Sequence, residues 1–124
     1  TSSKFLSDIY HVLSNQNISM LHKMKRKSKF SDDMYLRKIS QLSEKVDYTS
    51  IDSDLDALNI IQQTKACISM PFTSTALMAK LEGKPSVYYD PSGLIQKDDR
   101  AAHGVPVLSN IDELQEWVKS IGNE

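Results

Sequence analysis

The sequence has little cysteine, glycine or net charge and no long apolar run, and each shortage excludes a class of protein. The single cysteine, Cys67, cannot form a disulfide within the chain, so a reducing, cytoplasmic compartment is expected. No apolar run approaches the roughly 18 residues of a membrane-spanning helix. The four glycines form neither of the glycine-rich phosphate-binding fingerprints. A formal net charge of −1 argues against a general nucleic-acid-binding surface, which is usually strongly basic.

What the sequence does contain is the composition of an ordinary globular domain. Hydrophobic residues make up 40% and charged residues 25% of the 124 positions, and both shares are typical of globular proteins. A single domain is expected at this length. The chain starts at Thr1 rather than methionine and passes almost at once into a helical pattern. We therefore expect residues 1–124 to be a piece of a longer protein, whose other parts would supply any attachment to a membrane.

Helical and strand-like patterns alternate along the chain. Apolar residues at helical spacing predict helices at 3–14, at 31–46, after the strand ending at 51, at 73–82 and after Asn110. The predicted strands are 18–21, 48–51, 66–70, 86–89 and 105–108. Asp52 or Ser53 is expected to cap the third helix, and Glu113 to complete a capping box with Asn110. This alternation predicts an α/β domain with a doubly wound, Rossmann-like parallel sheet.

The turn after Met70 differs from the other strand-to-helix turns because three hydroxyl residues, Thr73, Ser74 and Thr75, open the following helix. No acidic residue follows until Glu82, at the far end of that helix. The free N–H groups of a helix start therefore have no nearby carboxylate to accept from them, and such a start can bind an anion. The structural alternative is that Thr73 or Ser74 simply caps the helix.

A basic run follows the first predicted strand, and its residues are Lys23, Lys25, Arg26, Lys27 and Lys29. The run can be a solvated loop, or Lys25 or Arg26 can face the ligand crevice and neutralise phosphate. A nucleic-acid patch is the weakest interpretation, because the run lacks interleaved aromatic residues for base stacking.

The remaining polar residues are considered as sugar contacts, metal ligands or catalytic groups. Asp90 ends a predicted strand, where it can contact a ribose or sugar hydroxyl or simply form the turn. The three histidines share no metal-like spacing with Cys67 or with carboxylate pairs, so no metal site is expected. No catalytic set of nucleophile, acid and base is visible in the chain.

The segment "MPFTSTALMAKLEGKPSVYYDP" resembles the donor-binding half of GT-B glycosyltransferases and polysaccharide biosynthesis proteins of bacterial surface glycans. It is also similar to the matching half of non-hydrolysing UDP-sugar 2-epimerases. The resemblance covers 66–90 well and 105–121 loosely, and the Gly83–Lys84–Pro85 exit from the helix matches it. Many GT-B enzymes have a ribose-binding glutamate in this helix, where this sequence has Met78.

The resemblance implies a function for the chain. It implies that Thr73, Ser74 and Thr75 hold the diphosphate of a nucleotide-diphosphate sugar, with no further cofactor. It also implies that an N-terminal acceptor domain of the same protein completes the active site, so the isolated domain is expected to be inert. The enzyme alternative is half of a sugar 2-epimerase. The alternative of another class is a non-catalytic α/β phosphate-binding or interaction module, such as a flavodoxin-like receiver, which would need acidic residues where this chain has lysines.

Overall fold

The computed structural model describes residues 2–23 and 33–122. In chain order, the elements are α1 (Ser2–Asn15), β1 (Met20–Lys23), α2 (Asp33–Leu42), β2 (Tyr48–Ile51), α3 (Ala57–Gln62), β3 (Cys67–Ser69), α4 (Ser74–Leu81), β4 (Ser86–Tyr89), a short 3-10 helix (Arg100–Ala102), β5 (Val107–Leu108) and α5 (Ile111–Gly122). Among these described elements, no helix has the length and apolarity needed to cross a bilayer.

The chain divides into two compact units, Thr1–Leu55 and Asp56–Glu124. In the first unit, β1 and β2 pair in parallel, with Met20 opposite Tyr48 and Lys23 opposite Ile51. Helix α1 buries Leu6, Ile9, Val12 and Leu13, which recur at the spacing of one helical face. The helix α2 contributes Tyr35 and Leu42 to the buried set.

In the second unit, a parallel sheet has the order β3–β4–β5. All four residues of the central strand β4 are buried, as expected for a parallel strand that is covered on both faces. The core cluster contains Tyr88 of β4, Ala76 of α4 and Val107 of β5, together with Ala102 and Val105. Because Ala102 and Val105 belong to this cluster, the connection between β4 and β5 packs against the core.

The predicted α/β class with parallel strands is confirmed, and all five predicted strands are present. β2 and β4 have the predicted bounds, β1 lies two residues later than predicted, and β3 and β5 are shorter than predicted. The strands lie in two sheets rather than the one sheet expected. An alternating or apolar pattern identifies a strand, but it does not specify which neighbour the strand pairs with. The expectation of a single folding domain stays a prediction.

Two predicted helix boundaries were wrong. Helix α2 ends at Leu42, and Val46, which was expected on its apolar face, is fully exposed in the following turn. The cap of α3 is Asp56, whose carboxylate accepts the N–H of Leu58 at 3.0 Å. Asp52 instead accepts the N–H of Asp54 at 2.9 Å, so it forms a local turn before the helix starts.

The Gly83 turn ends α4 as a Schellman motif. The N–H of Gly83 donates to the carbonyl of Lys80, and the N–H of Lys84 donates to that of Ala79, both at 3.0 Å. Gly83 has φ +76°, a conformation that residues with a Cβ disfavour.

We expect Gly83→Ala to lower the free energy of unfolding by about 1–2 kcal/mol, the usual penalty for an L-residue in this region. Nothing lies within 4 Å of the added Cβ, so the backbone conformation alone would cause the loss. Urea denaturation of the variant beside Lys84→Ala, a neighbour without positive φ, measures it. Equal stability of Gly83→Ala and the unmodified protein would contradict the prediction.

Candidate functional site

The carboxyl edge of the second sheet brings three connections together. In the parallel ladders, Ser69 lies opposite Tyr88, and Tyr89 lies opposite Leu108. The segments that follow β3, β4 and β5 therefore leave the sheet at one edge, where ligands of open α/β sheets bind. These segments are the turn 71–75, whose last two residues begin α4, the loop that begins at Asp90, and the start of α5.

The turn 71–75 has an unusual backbone. Phe72 has φ +65°, a left-handed conformation that costs a bulky residue about 1–3 kcal/mol and that often marks a functional site. Thr73 is then extended, with φ −83° and ψ 148°, and forms the N-cap position of α4. The chain is thus forced through a strained residue just before the helix begins.

A buried tyrosine from the central strand supports this turn. Tyr88 is 1% exposed, and its hydroxyl donates to the carbonyl of Thr73 at 3.3 Å. Its ring lies edge-on to the ring of Phe72, with the centroids 5.8 Å apart, while Phe72 itself is 42% exposed. Tyr88 therefore contacts both the strained residue, Phe72, and the residue after it, Thr73. Burial raises the pKa of Tyr88, which keeps its hydroxyl protonated as a donor.

Thr73 occupies the N-cap position of α4, but its side chain does not cap the helix. Its hydroxyl donates backward to the carbonyl of Met70 at 3.0 Å, and no side-chain bond caps the helix from this position. The structure therefore disagrees with the plain-cap interpretation of Thr73. Of the next two hydroxyl residues, Ser74 is exposed and Thr75 is half-buried.

The start of α4 also contrasts with the start of α5. There the side chain of Asn110 accepts the N–H of Glu113 at 2.9 Å. The carboxylate of Glu113 in turn accepts the N–H of Ser109 at 2.8 Å, one residue before the cap. The predicted cap by Asn110 is thus confirmed, whereas the return bond of Glu113 goes to Ser109 rather than to the Asn110 N–H of a capping box. The first turn of α4 carries no acidic residue, so its N–H groups retain the donor character of an uncapped helix start.

Asp90, the predicted sugar contact, organises its own loop. Its side chain accepts from the N–H of Ser92 at 3.0 Å, from the Ser92 hydroxyl, and from the N–H of Ile95 at 2.9 Å. Burial raises the pKa of Asp90, but these hydrogen bonds from Ser92 and Ile95, with one from the Leu94 backbone, outweigh it and leave the pKa lowered. This geometry supports the turn-forming alternative, and the sugar contact stays a prediction.

The loop that follows is held at a second point, which the sequence pattern did not indicate. The ammonium of Lys97 donates to the carbonyl of Val107 at 3.1 Å and to the carboxylate of Glu113 at 2.8 Å. The connection between β4 and β5 is thus tied to the start of α5. The spacing of Lys97 and Glu113, sixteen residues apart, shows no helical or strand periodicity that would have revealed the pair.

The other predicted residues contribute less to the described geometry. Lys25 and Arg26, the predicted phosphate-neutralising residues, lie outside the described residues. Lys23, at the end of β1, donates from its ammonium to the carbonyl of Ser53 at 2.8 Å. In the described ranges, no group of three histidine, cysteine or carboxylate side chains could hold a metal ion.

One protein family matches nearly the whole chain. The family model described as polysaccharide biosynthesis PFTS motif protein covers residues 1–118. The chain belongs to this family. Pro71, Phe72, Thr73 and Ser74 spell the four letters of the family's name in order. The motif of this PFTS protein is therefore the strained turn at the carboxyl edge of the second sheet.

Family membership confirms the coarser part of the predicted function, a role in polysaccharide biosynthesis. The finer parts, a GT-B glycosyltransferase or an epimerase half, go beyond what the family description says. No curated protein and no solved structure matches the PFTS protein.

Proposed function

We propose that this PFTS protein binds a nucleotide-diphosphate sugar through the turn 71–75, as the donor-binding part of a glycosyltransferase of surface polysaccharide biosynthesis. The observation that carries the proposal is the position of the family motif. It lies at a strained turn between a parallel strand and a helix that starts without an acidic residue. A phosphate is the ligand that such a helix start favours.

The proposed contacts come from the first turn of α4. The N–H groups of Ser74 and Thr75 would donate to the diphosphate, as would the hydroxyls of Ser74 and Thr75. Each hydrogen bond to a charged group contributes roughly 1.5–3 kcal/mol. The hydroxyl of Thr73 donates to Met70 in the described structure, so it would have to rotate before it could bind phosphate.

The core gives this turn a fixed position. The hydroxyl of Ser86, in β4, donates to the carbonyl of Ala76 at 2.8 Å, and Ala76 is fully buried. Together with the contact from Tyr88 to Thr73, this bond ties both ends of the first helical turn to the central strand. Donors that are held in place before binding lose less entropy when the ligand arrives.

Calorimetric titration of a nucleoside, its monophosphate and its diphosphate into the full-length protein tests the proposal. The diphosphate is expected to bind at least tenfold more tightly than the nucleoside, a difference of about 1.4 kcal/mol. UDP is the first probe, with the diphosphates of the other common bases beside it. Equal affinity for nucleoside and diphosphate, or no binding of either, would contradict a phosphate site.

We expect the isolated 124-residue chain to be catalytically inert even where it binds the nucleotide. The sequence contains no recognisable motif of nucleophile, acid and base, and the proposal assigns the acceptor site to another domain of the same protein. The measurement is release of nucleoside diphosphate from a panel of nucleotide sugars, with an acceptor glycan present. Turnover by this chain that Thr75→Asp abolishes would show that the chemistry lies within residues 1–124.

A further inference from the structure

The first unit contains a buried cluster of three titratable side chains that the proposed function does not use. His22 of β1 is 9% exposed. One of its ring nitrogens, Nδ1, lies 2.6 Å from the hydroxyl of Tyr48 in β2. The other, Nε2, lies 3.0 Å from the hydroxyl of Tyr35 in α2. Both nitrogens are therefore engaged, and His22 joins three elements of the unit through its side chain.

Among the described residues, the groups that face His22 carry no negative charge. From α2 the facing group is Tyr35, and from β2 it is Tyr48, both as rings 5.8 Å away and as hydroxyls. From α1, Tyr10 packs edge-on behind Tyr48 at 6.4 Å. The hydroxyl of Tyr10 in turn donates to the carboxylate of Asp47 at 2.7 Å. Of the described residues, those that contact the imidazole are thus neutral aromatic side chains.

These surroundings accommodate a neutral imidazole better than an imidazolium. A neutral ring can donate from one nitrogen and accept at the other, which matches two tyrosine hydroxyls. A protonated ring could only donate, to both hydroxyl oxygens, and it would place a charge among buried aromatic rings with no described carboxylate beside it, which is strongly disfavoured. Burial accordingly lowers the pKa of His22 to about 4, against an ordinary value of 6.5.

We propose that the Tyr35–His22–Tyr48 cluster is an acid-sensitive latch, and that protonation of His22 opens the first unit while the second unit stays folded. In neutral solution the neutral ring joins β1, β2 and α2. In acid the open state binds a proton at His22 that the closed state excludes, so the open state becomes more populated. The proposal is independent of the nucleotide site, which lies on residues of the second unit.

The sign and the window of the effect follow from linkage. Well above pH 6.5, His22 is neutral in both states and contributes no pH dependence. Between pH 6.5 and pH 4, the open state binds one more proton than the closed state, so the opening constant rises about tenfold per pH unit. Because the open state is already half protonated at pH 6.5 and the closed state begins to bind the proton as the pH nears 4, the rise from pH 6.5 to pH 4.5 is about 40-fold. Below pH 4 both states bind the proton and the effect levels off.

The second unit is expected to respond only in stronger acid. The pKa values of Asp90 and Glu113 are lowered in the folded state, and hydrogen bonds account for this in both cases. The stability that these two carboxylates contribute is complete above their ordinary values, 3.8 and 4.5, and is lost as the pH falls through their lowered values. Between pH 6.5 and pH 4.5 the second unit should therefore keep its protection.

Amide hydrogen exchange of the full chain, with intrinsic rates corrected for pH, measures opening in each unit. Protection factors in β1 and β2 are expected to fall about 40-fold between pH 6.5 and pH 4.5, while those in β3 and β4 stay within about threefold. His22→Gln, which keeps a neutral side chain able to donate and accept, should abolish the pH dependence in the first unit. His11→Gln is the matched control, because His11 is an exposed histidine on α1, and it should leave the dependence unchanged.

Two further measurements keep the test decisive if His22→Gln does not fold. Tyr35→Phe retains His22 and the aromatic ring, so it should weaken the unit at every pH and keep the tenfold slope. An NMR titration of the His22 ring in the unmodified protein should show it neutral in the closed state down to about pH 4. The proposal would be overturned if the His22 ring titrated near pH 6.5 while the first unit kept its protection. It would also be overturned if protection in the first unit had the same pH dependence in His22→Gln and in the parent, or if both units lost protection at the same pH.

Discussion

Replacing Thr75 by aspartate is expected to weaken binding of a nucleoside diphosphate by at least tenfold, which is about 1.4 kcal/mol. The new carboxylate would repel the phosphate, and it would also accept from the free N–H groups of the first turn of α4. Helix α4 should survive the change, because an acidic residue in the first turn stabilises a helix by about 0.3–1 kcal/mol. The prediction thus separates binding from folding, since affinity should fall while stability holds or rises.

Calorimetric titration of UDP or another nucleoside diphosphate into the full-length protein and the variant measures the change, with circular dichroism to confirm folding. Thr75→Asn is the matched control, because asparagine has the size of aspartate without its charge. It should keep most of the affinity if repulsion is the cause. Equal affinities in well-folded unmodified protein and Thr75→Asp would assign the turn 71–75 a structural role only.

Local chemistry made part of the site predictable from sequence. The Asn110 cap and the Gly83 turn depend on residues within five positions of one another, and the structure has both. The acid-free start of α4 is a property of the sequence itself. The strands could be located because each is a short apolar run between turn residues. These features need no knowledge of what packs against them.

The remaining features depend on contacts between distant parts of the chain. The left-handed backbone of Phe72 coincides with the contacts of Tyr88, sixteen positions later, with Phe72 and Thr73. The sequence places Tyr88 in the predicted strand 86–89, but it does not indicate which residues the side chain contacts. The hydroxyl of Thr73 points back to the carbonyl of Met70, which also accepts the N–H of Thr73 at 3.4 Å, and this contact exists only in the folded turn. The division of the strands into two sheets likewise depends on pairing, which no single segment encodes.

The two roles considered for Asp90, forming the loop and contacting the sugar, predict different effects of its replacement on stability. Its carboxylate is 5% exposed and accepts hydrogen bonds from Ser92 and from the N–H of Ile95. In Asp90→Asn, one side of the group becomes an amide donor that must face either a backbone N–H or the Ser92 hydroxyl. We expect the free energy of unfolding to fall by roughly 2–3 kcal/mol, about the contribution of one hydrogen bond to a charged group.

Urea denaturation of the unmodified protein, of Asp90→Asn and of Asp98→Asn tests this. Asp98 is an exposed aspartate in the same loop, so its variant should lie within about 0.5 kcal/mol of the parent. If Asp90 instead acted on the sugar alone, Asp90→Asn would unfold like the parent and lose only ligand affinity, and the loop role would be falsified.

The pH dependence of the same comparison identifies the charge as the cause. The pKa of Asp90 is lowered in the folded state from an ordinary value of 3.8, so the stability that its carboxylate contributes is complete above that value. As the pH falls below 3.8, the unfolded chain binds a proton at Asp90 before the folded chain does, and the contribution declines. Asp90→Asn has no such proton to bind. The difference in unfolding free energy between parent and variant should therefore be constant from pH 7 to pH 5 and narrow below pH 3.8, whereas a purely steric effect of the amide would leave it unchanged.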